Sequence, residues 1–266
     1  MPWIVHDPAP VSTGARFGLI LTQTSHFDLV TQLTTTSTCL KMISVIIPTY
    51  NEEKALPKIL DALLRQRGEY EVIVVDGGST DRTRDIIQAE PLLRYETAPR
   101  GRALQMNSAA RRARGDWLLF LHADTLLPDG ALCLLNSLEN DAACQAGGFR
   151  HCFTGTDWRL RMISRLDNLR ARLTRIIYGD QALFVKRRLF EQLGGFPEQP
   201  VLEDLLFSKK LKRVTRPIIL NQCVVTDSRK FVQMGIWRSL ARCLIILLCH
   251  VFKLPFLPKR FFADIR

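Results

Sequence analysis

The sequence lacks the cysteine patterns of disulfide-stabilised and zinc-binding proteins. Its seven cysteines are odd in number and scattered, and no two of them have the C-x-x-C spacing. A disulfide framework or a structural zinc site needs paired or closely spaced cysteines, so we expect reduced thiols. A secretory signal is also absent, because no basic region precedes the first apolar stretch and Asp7, Pro8 and Pro10 interrupt it. Both absences predict a cytoplasmic protein.

Two common nucleotide motifs and a membrane-spanning run are missing as well. Neither G-x-G-x-x-G nor the Walker lysine motif occurs, which argues against a dinucleotide-dependent dehydrogenase and a P-loop ATPase. The apolar stretch between Arg242 and Lys253 contains His250 and is shorter than the roughly 20 residues that a membrane span needs.

Positive charge is in excess. The chain has 37 Lys and Arg against 26 Asp and Glu, a net charge of +11. Such a balance favours a polyanionic partner, which could be nucleic acid, anionic lipid or a phosphorylated substrate. Charge alone does not choose among the three.

Residues 1–41 differ in composition from the rest of the chain. They are rich in Ser and Thr, include a low-complexity run at residues 34–38, and show no helical or strand period. We expect a poorly ordered extension or a start codon that lies at Met42. After it we predict a main domain over residues 42–230 and a basic amphipathic helical segment over residues 231–266.

Apolar runs alternate with helix-like stretches after Met42. The predicted strands are residues 43–47, 71–75, 92–96 and 117–121, and the helices between them are residues 54–67, 82–89 and 103–114. The second half is less regular, with helices predicted at residues 157–175, 203–212 and 235–252 and strands at 182–185 and 218–225. The alternation predicts a Rossmann-like, mostly parallel α/β sheet with helices on both faces.

Polar residues follow each of the first four predicted strands, where ligands bind in such sheets. The four loops are residues 48–52 (PTYNE), 76–81 (DGGSTD), 99–102 (PRGR) and 122–125 (HADT). Helix capping explains Asn51, Glu52 and Ser79 equally well when each is taken singly. The agreement of the four loops is what indicates a nucleotide site.

Two pairs of residues could take part in metal binding or catalysis. His122 and Asp124 are two positions apart beyond a strand, so their side chains share a face. A carboxylate there suits a hard divalent cation that bridges a diphosphate, with His as a softer ligand, although capping would also explain Asp124. Glu203 and Asp204 begin a predicted helix, where adjacent acids are common because of the helix dipole.

Four segments, taken in their order along the chain, resemble those of the family 2 glycosyltransferases of the GT-A fold. They are residues 45–52, 74–81, 122–124 and 203–204. Within that family the sequence is most similar to a bacterial group associated with radical-SAM and selenodomain proteins, which shares residues 178–181 (YGDQ), 194–197 (GGFP) and 228–230 (SRK). The resemblance extends from Met42 to about Phe262 and makes residues 42–230 a GT-A domain.

The resemblance implies an inverting glycosyltransferase that moves a sugar from a nucleotide-diphosphate sugar, expected to be a UDP-sugar, to an acceptor hydroxyl. It makes Asp204 the catalytic base, puts Asp124 and His122 at a divalent cation (Mn²⁺ or Mg²⁺), and places Glu203, Asp180 and Gln181 on the acceptor side. The nucleotide-binding residues that it implies are Pro48, Tyr50, Asn51, Glu52, Asp76, Gly78, Ser79, Arg100 and Arg102. Of these, the two arginines would neutralise the diphosphate.

Three positions depart from the family pattern. His122 replaces the first carboxylate of the metal motif, which puts the metal's identity in doubt. Gly77 stands where many relatives have a second Asp, which puts the nucleotide in doubt. The Q-x-x-R-W signature of processive synthases is absent, so we do not expect a polymerising enzyme.

Two other functions stay open. Nucleotidyl transfer to a sugar phosphate also uses an α/β sheet and a cation, but it would need a Gly-rich basic loop after the first strand, and residues 48–52 are neither. A basic nucleic-acid-binding protein fits the net charge and the cluster of Arg111, Arg112 and Arg114. Those arginines end a predicted helix, where cations are favoured anyway, and no nucleic-acid motif accompanies them, so we expect no nucleic-acid partner.

The C-terminal segment predicts reversible attachment to an anionic membrane surface. From Arg229 to Arg266 there are eight basic residues and one acid, Asp264, around an apolar stretch, which is the composition of an interfacial anchor. A core helix with a solvated basic face is the alternative. Attachment would place the enzyme on the inner face of the membrane, where its unknown acceptor could be lipid-like.

Overall fold

The computed structural model describes residues 42–138, 141 and 143–252. The predicted disorder of residues 1–41 lies outside the described residues, as does the part of the predicted C-terminal segment after Phe252. The division into domains at residue 230 therefore remains a prediction.

The strands and helices alternate along the first half of the chain. The strands are β1 (Ile43–Thr49), β2 (Tyr70–Asp76), β3 (Leu93–Thr97), β4 (Trp117–Phe120), β5 (Thr125–Leu126), β6 (Ala146–Phe153), β7 (Phe184–Lys186) and β8 (Ile218–Thr226). The helices are α1 (Leu56–Leu64), α2 (Thr83–Gln88), α3 (Arg102–Arg112), α4 (Ala131–Ser137), α5 (Trp158–Thr174), α6 (Arg187–Gln192), α7 (Glu203–Val214), α8 (Arg229–Gln233) and α9 (Ile236–Val251), with a 3₁₀ turn at Gly179–Gln181.

The described strands form one sheet in the order β3-β2-β1-β4-β7-β6-β8-β5. Strands β3, β2, β1 and β4 are parallel. Strand β7 pairs antiparallel with both β4 and β6, and β6 is parallel to β8. The predicted α/β fold class is confirmed, and the antiparallel pairings are confined to the second half of the sheet.

Helices cover both faces of the sheet, as predicted. In β1, Val45 and Ile47 belong to one apolar core with Leu56 and Leu63 of α1, whereas Ile46 belongs to a second core that contains Met106 of α3 and Phe207 of α7. Because β1 is buried on both faces, its sequence is a continuous apolar run rather than an alternating one.

Strand β6 was not predicted, because two glycines dilute its apolar pattern. A side chain at Gly147 would collide with the ring of Phe184 on β7, and one at Gly148 would lie 2.6 Å from the Ile177 side chain. The glycines thus allow neighbouring segments to pack closely against β6. The need for them arises from contacts between distant parts of the chain, which local sequence patterns do not show.

Hydrogen bonds between side chains and backbone join the loops at the carboxyl ends of β1 and β2. The amide of Asn51 donates to Ser79 Oγ (2.9 Å), and the Asn51 side-chain oxygen accepts from the Thr80 amide (2.8 Å). The Gln105 side chain on α3 donates to the carbonyls of Thr49 and Val75, at 2.8 Å each. These bonds fix the shape of the edge at which the nucleotide loops were predicted.

Candidate active site

A cleft lies at the carboxyl ends of β1 and β4. The chain runs from β1 to β2 on one side and places β4 on the other side of β1, so the cleft occupies the switch point where α/β sheets bind ligands. Its lining includes the predicted residues Pro48, Tyr50, Glu52, Arg100, Arg102, His122 and Asp124, together with Thr49, Gly101, Gln105, Ala123 and Lys230.

Four predicted nucleotide-binding residues, Asn51, Asp76, Gly78 and Ser79, are outside that lining. The buried Asp76 carboxylate accepts from the amides of Gly78 (3.1 Å) and Ser79 (3.0 Å) and pairs with Arg84 Nε at 2.9 Å. In this structure Asp76 therefore organises the turn after β2. Its contact with a nucleoside remains a prediction.

Arg100 and Arg102 bring positive charge to the cleft in different ways. The Arg100 guanidinium lies 3.8 Å from the centroid of the Tyr50 ring, a cation–π arrangement. Arg102 Nε lies 2.7 Å from Oε1 of the buried Glu203 on α7. Burial would lower the pKa of Arg102, but Glu203 and nearby acids hold that pKa above its usual value, so this side chain stays charged.

Lys230, from the start of α8, is the charged residue of the cleft lining that was not predicted from the sequence. Its ammonium lies 2.5 Å from Glu52 Oε1 and 4.0 Å from Asp124 Oδ2. Burial raises the pKa of Glu52, and the hydrogen bond from Lys230 opposes that rise. In the sequence Lys230 belongs to the basic C-terminal stretch, and no local pattern indicates its return to β1 and β4.

His122 is available as a neutral ligand. Loss of solvent, followed by the charge of Arg102, lowers its pKa to about 3, so the imidazole is uncharged near neutral pH. A side chain at Gly179 would lie 2.5 Å from His122 Nε2 and 3.2 Å from Asp204 Oδ2. Glycine at position 179 thus lets the two site segments approach each other.

The residues suit a divalent cation only with help from a ligand. Among the described residues, no group of three or more His, Cys, Asp or Glu side chains could hold a metal ion. The partly exposed Asp124 carboxylate supplies one hard oxygen donor, with His122 two positions away. Such a site fits an ion that takes its other ligands from phosphate oxygens and water, as Mg²⁺ commonly does.

The predicted catalytic and acceptor-side residues meet around the 3₁₀ turn. Asp204 Oδ2 accepts from the Gly179 amide (2.6 Å), and Asp204 Oδ1 accepts from the Leu205 amide (2.7 Å). Gln181 is fully buried, with its side-chain oxygen 3.1 Å from the Tyr178 amide.

Asp180 lines a second cavity, beside Asp124. Burial is the main cause that raises the Asp180 pKa to about 6, with Asp167 and Asp204 contributing and His151 opposing.

Residues 44–194 match the family model described as glycosyl transferase family 2. The chain belongs to glycosyl transferase family 2. A PGL/p-HBAD biosynthesis glycosyltransferase of Mycobacterium tuberculosis is 43% identical over 93 residues, which cover 32% of this chain and 36% of that protein. An uncharacterized glycosyltransferase of Haemophilus influenzae is 29% identical over 187 residues, 64% of this chain and 62% of its own length. The chain thus spans about a third to three fifths of these family 2 relatives.

Solved structures confirm the GT-A fold of this family 2 chain. A mannosyltransferase from Pyrobaculum calidifontis, in complex with GDP-Man and Mn²⁺, has a TM-score of 0.60 at 25% identity and covers 84% of this chain and 67% of its own. Staphylococcus aureus TarS (residues 1–349) with UDP-GlcNAc has a TM-score of 0.57 at 23% identity, covering 71% of this chain and 59% of its own.

The Arg102–Glu203 pair should stabilise the fold, because it links α3 to α7. We expect Glu203→Gln to lower the free energy of unfolding by about 1–3 kcal/mol, because it leaves a half-buried guanidinium without its carboxylate. This loss is smaller than that for breaking a fully buried ion pair, because Arg102 is partly exposed to solvent. Urea denaturation measures the change. The control is Asp61→Asn, which breaks an exposed pair with Arg65 and should cost about 0.5 kcal/mol or less. Equal losses in the two variants would show that the Arg102–Glu203 pair is not special.

Proposed function

We propose that this chain transfers a glycosyl group from a nucleoside-diphosphate sugar, in particular a UDP-sugar, to an acceptor hydroxyl with inversion at the anomeric carbon. The observation that carries the proposal is the convergence of Arg100, Arg102 and Lys230 with Asp124 in one cleft at the switch point of the sheet. Three cations line the cleft beside the two carboxylates of Glu52 and Asp124, and this excess of positive charge suits a diphosphate better than a neutral ligand.

A divalent cation held by Asp124 and His122 would supply further positive charge to the departing diphosphate. The chain's own residues would do the rest. Arg102, kept charged by Glu203, faces the leaving group with Arg100. Lys230 moves from Glu52 and Asp124 toward the phosphate oxygens when these enter the cleft.

Asp204 would accept the proton of the attacking hydroxyl. As that oxygen forms its bond to the anomeric carbon, the bond from this carbon to the phosphate oxygen breaks and the nucleoside diphosphate leaves. The amides of Gly179 and Leu205 hold both carboxylate oxygens of Asp204 in place. Such positioned bases contribute about 10²–10⁴-fold to rates.

The three segments shared with the radical-SAM-associated group support membership in it, since each has a structural role at or near the site. Gly179 lies close to both His122 and Asp204, where a side chain would collide with His122, and Lys230 joins Glu52 to Asp124. Gly195, with φ of +69°, lies where a side chain would meet Asn107 at 2.7 Å. Asn107 in turn binds the backbone of Phe196 through both atoms of its amide.

The donor assignment predicts a metal-dependent stabilisation. UDP with Mn²⁺ should raise the free energy of unfolding by about 2.7 kcal/mol at a ligand concentration of 100 Kd, because only the folded state binds it. A thermal-shift titration with UDP, GDP, ATP and NAD measures this. Asp124→Asn should remove the Mn²⁺-dependent part, whereas the exposed Asp129→Asn should retain it. Identical responses to UDP, ATP and NAD in the presence of metal would refute the donor site.

The catalytic assignment predicts a separation of binding from turnover. Asp204→Asn should keep UDP affinity within about twofold, because Asp204 does not line the donor cleft. UDP release in the presence of acceptor should fall by about 10²–10⁴-fold, because the base is lost. Calorimetric titration and initial rates provide the two numbers. If affinity and turnover fall together, Asp204 has a structural role.

Peripheral attachment to an anionic membrane, on the cytoplasmic side, is the part of the proposal that concerns location. One face of α9 exposes a stripe of apolar side chains at helical spacing: Trp237, Leu244, Ile245, Leu248 and Phe252. The segment from Arg229 onward has the excess of basic residues that complements anionic headgroups. No helix among the described residues is long and apolar enough to span a bilayer.

Liposome flotation tests this attachment. The full chain should float with anionic vesicles at low salt and dissociate as salt rises, because the attraction is screened. The double variant Leu244→Glu, Leu248→Glu should stay unbound. Leu92→Glu, which alters an exposed leucine at the start of β3, should float like the parent. Binding that is equal in all three proteins would count against the α9 stripe.

A further inference from the structure

A second cavity adjoins the donor cleft. It lies between the ends of β6 and β8 on one side and helices α8 and α9 on the other, with a volume of about 190 Å³. Asp124 and Lys230 line both this cavity and the donor cleft. A group bound in the second cavity would therefore meet the donor at these two side chains.

Aromatic and sulfur-containing side chains form much of its wall. Phe153 at the end of β6 and Phe231 on α8 have ring centroids 5.1 Å apart, and Met234 and Cys243 also line the cavity. A cavity of about 150 Å³ with apolar walls is large enough to take benzene. Thr226, Asp227, Ser239 and Arg242 also line the cavity. Its size and its mixture of apolar and polar groups suit one ring that carries a hydroxyl.

The cavity also has a polar end with hydrogen-bonding capacity. Asp180 lines it, and Asp180 Oδ1 has no hydrogen-bond partner among the described residues. Its other oxygen, Oδ2, is 3.8 Å from Nε2 of the buried His151, beyond hydrogen-bond distance. The Asp180 side chain is 35% exposed although Oδ1 itself is buried. A ligand in the cavity would therefore reach the carboxylate at Oδ2, which can accept a hydrogen bond from a hydroxyl.

The wall that closes the cavity is held in place. The hydroxyls of Thr154 and Ser228 lie 3.1 Å apart, and the Ser228 amide donates to Thr154 Oγ1 at 2.9 Å, which joins the start of α8 to the end of β6. Ser239 Oγ on α9 donates to the Phe231 carbonyl at 3.0 Å. The cavity is thus a built feature of the fold.

We propose that this cavity binds the acceptor, and that the acceptor is a hydroxyl-bearing apolar ring, such as a phenol, whose hydroxyl donates to Asp180 beside the donor cleft. The inference rests on the proposed function for the direction of transfer, but the cavity and its ligand class stand on the contacts above. Asp180 holds the hydroxyl before transfer. In the transfer step the hydroxyl turns from Asp180 to Asp204, whose carboxylate is bound to the neighbouring Gly179 amide, and its single proton passes to Asp204 as the hydroxyl oxygen bonds to the anomeric carbon.

Phenol and glycerol are the probes that test the ligand class. We expect saturation-transfer NMR to detect phenol but not glycerol on the full chain, with or without UDP and Mn²⁺. Met234→Trp should fill the cavity and abolish the phenol signal. Val232→Trp, at an exposed position two residues earlier on α8, should keep it. Phenol binding that survives Met234→Trp, or glycerol that binds as well as phenol, would overturn the proposal.

Toluene tests the role of Asp180. Asp180→Leu should weaken phenol about tenfold, since it removes the acceptor of the hydroxyl, and should leave toluene unchanged or bound more tightly. Equal weakening of both rings would overturn the role of Asp180. UDP binding, measured by thermal shift, separates this proposal from the proposed function. If UDP does not bind while Met234→Trp still removes phenol binding, glycosyl transfer is refuted, but the assignment of the cavity as a ring-binding site is supported.

Discussion

The contact of Lys230 with Glu52 and Asp124 is the interaction on which the site depends. It joins the start of α8 to the loops after β1 and β4, and its partners are far apart in sequence. Lys230 and Asp124 form the common boundary of the donor cleft and the second cavity. A lysine ammonium between two carboxylates compensates their charge before a ligand binds, and it leaves a mobile cation where a diphosphate would enter.

Most strands and helices of both halves of the fold could be predicted from the sequence, whereas strands β5 and β6 and the short helices α4, α6 and α8 could not. Strands β1, β2 and β4 are buried on both faces, so their apolar runs are visible without knowledge of their partners. Strand β6 contains Gly147 and Gly148, and glycine is needed at these positions because Phe184 and Ile177 approach them closely. That reason exists only in the folded chain.

The same distinction applies to the site. Seven of the predicted residues line one cleft, because strands of a parallel sheet present their carboxyl ends at a single edge. The arrangement of Asp76, which binds its own turn and Arg84, and that of Lys230 depend on contacts between distant segments. Motif spacing does not encode such contacts. Asp204, Lys230 and most of the wall of the second cavity also lie beyond residue 194, where the family match ends, so the family match gives no guide to the acceptor.

A crystal structure with UDP and Mn²⁺, with the metal located by its anomalous scattering, tests the central claim most directly. We expect a metal peak bonded to the Asp124 carboxylate and to diphosphate oxygens, with Lys230 moved from Glu52 to the phosphates and Arg102 still paired with Glu203. A nucleotide bound away from the ends of β1 and β4, or a metal that does not contact Asp124, would contradict it.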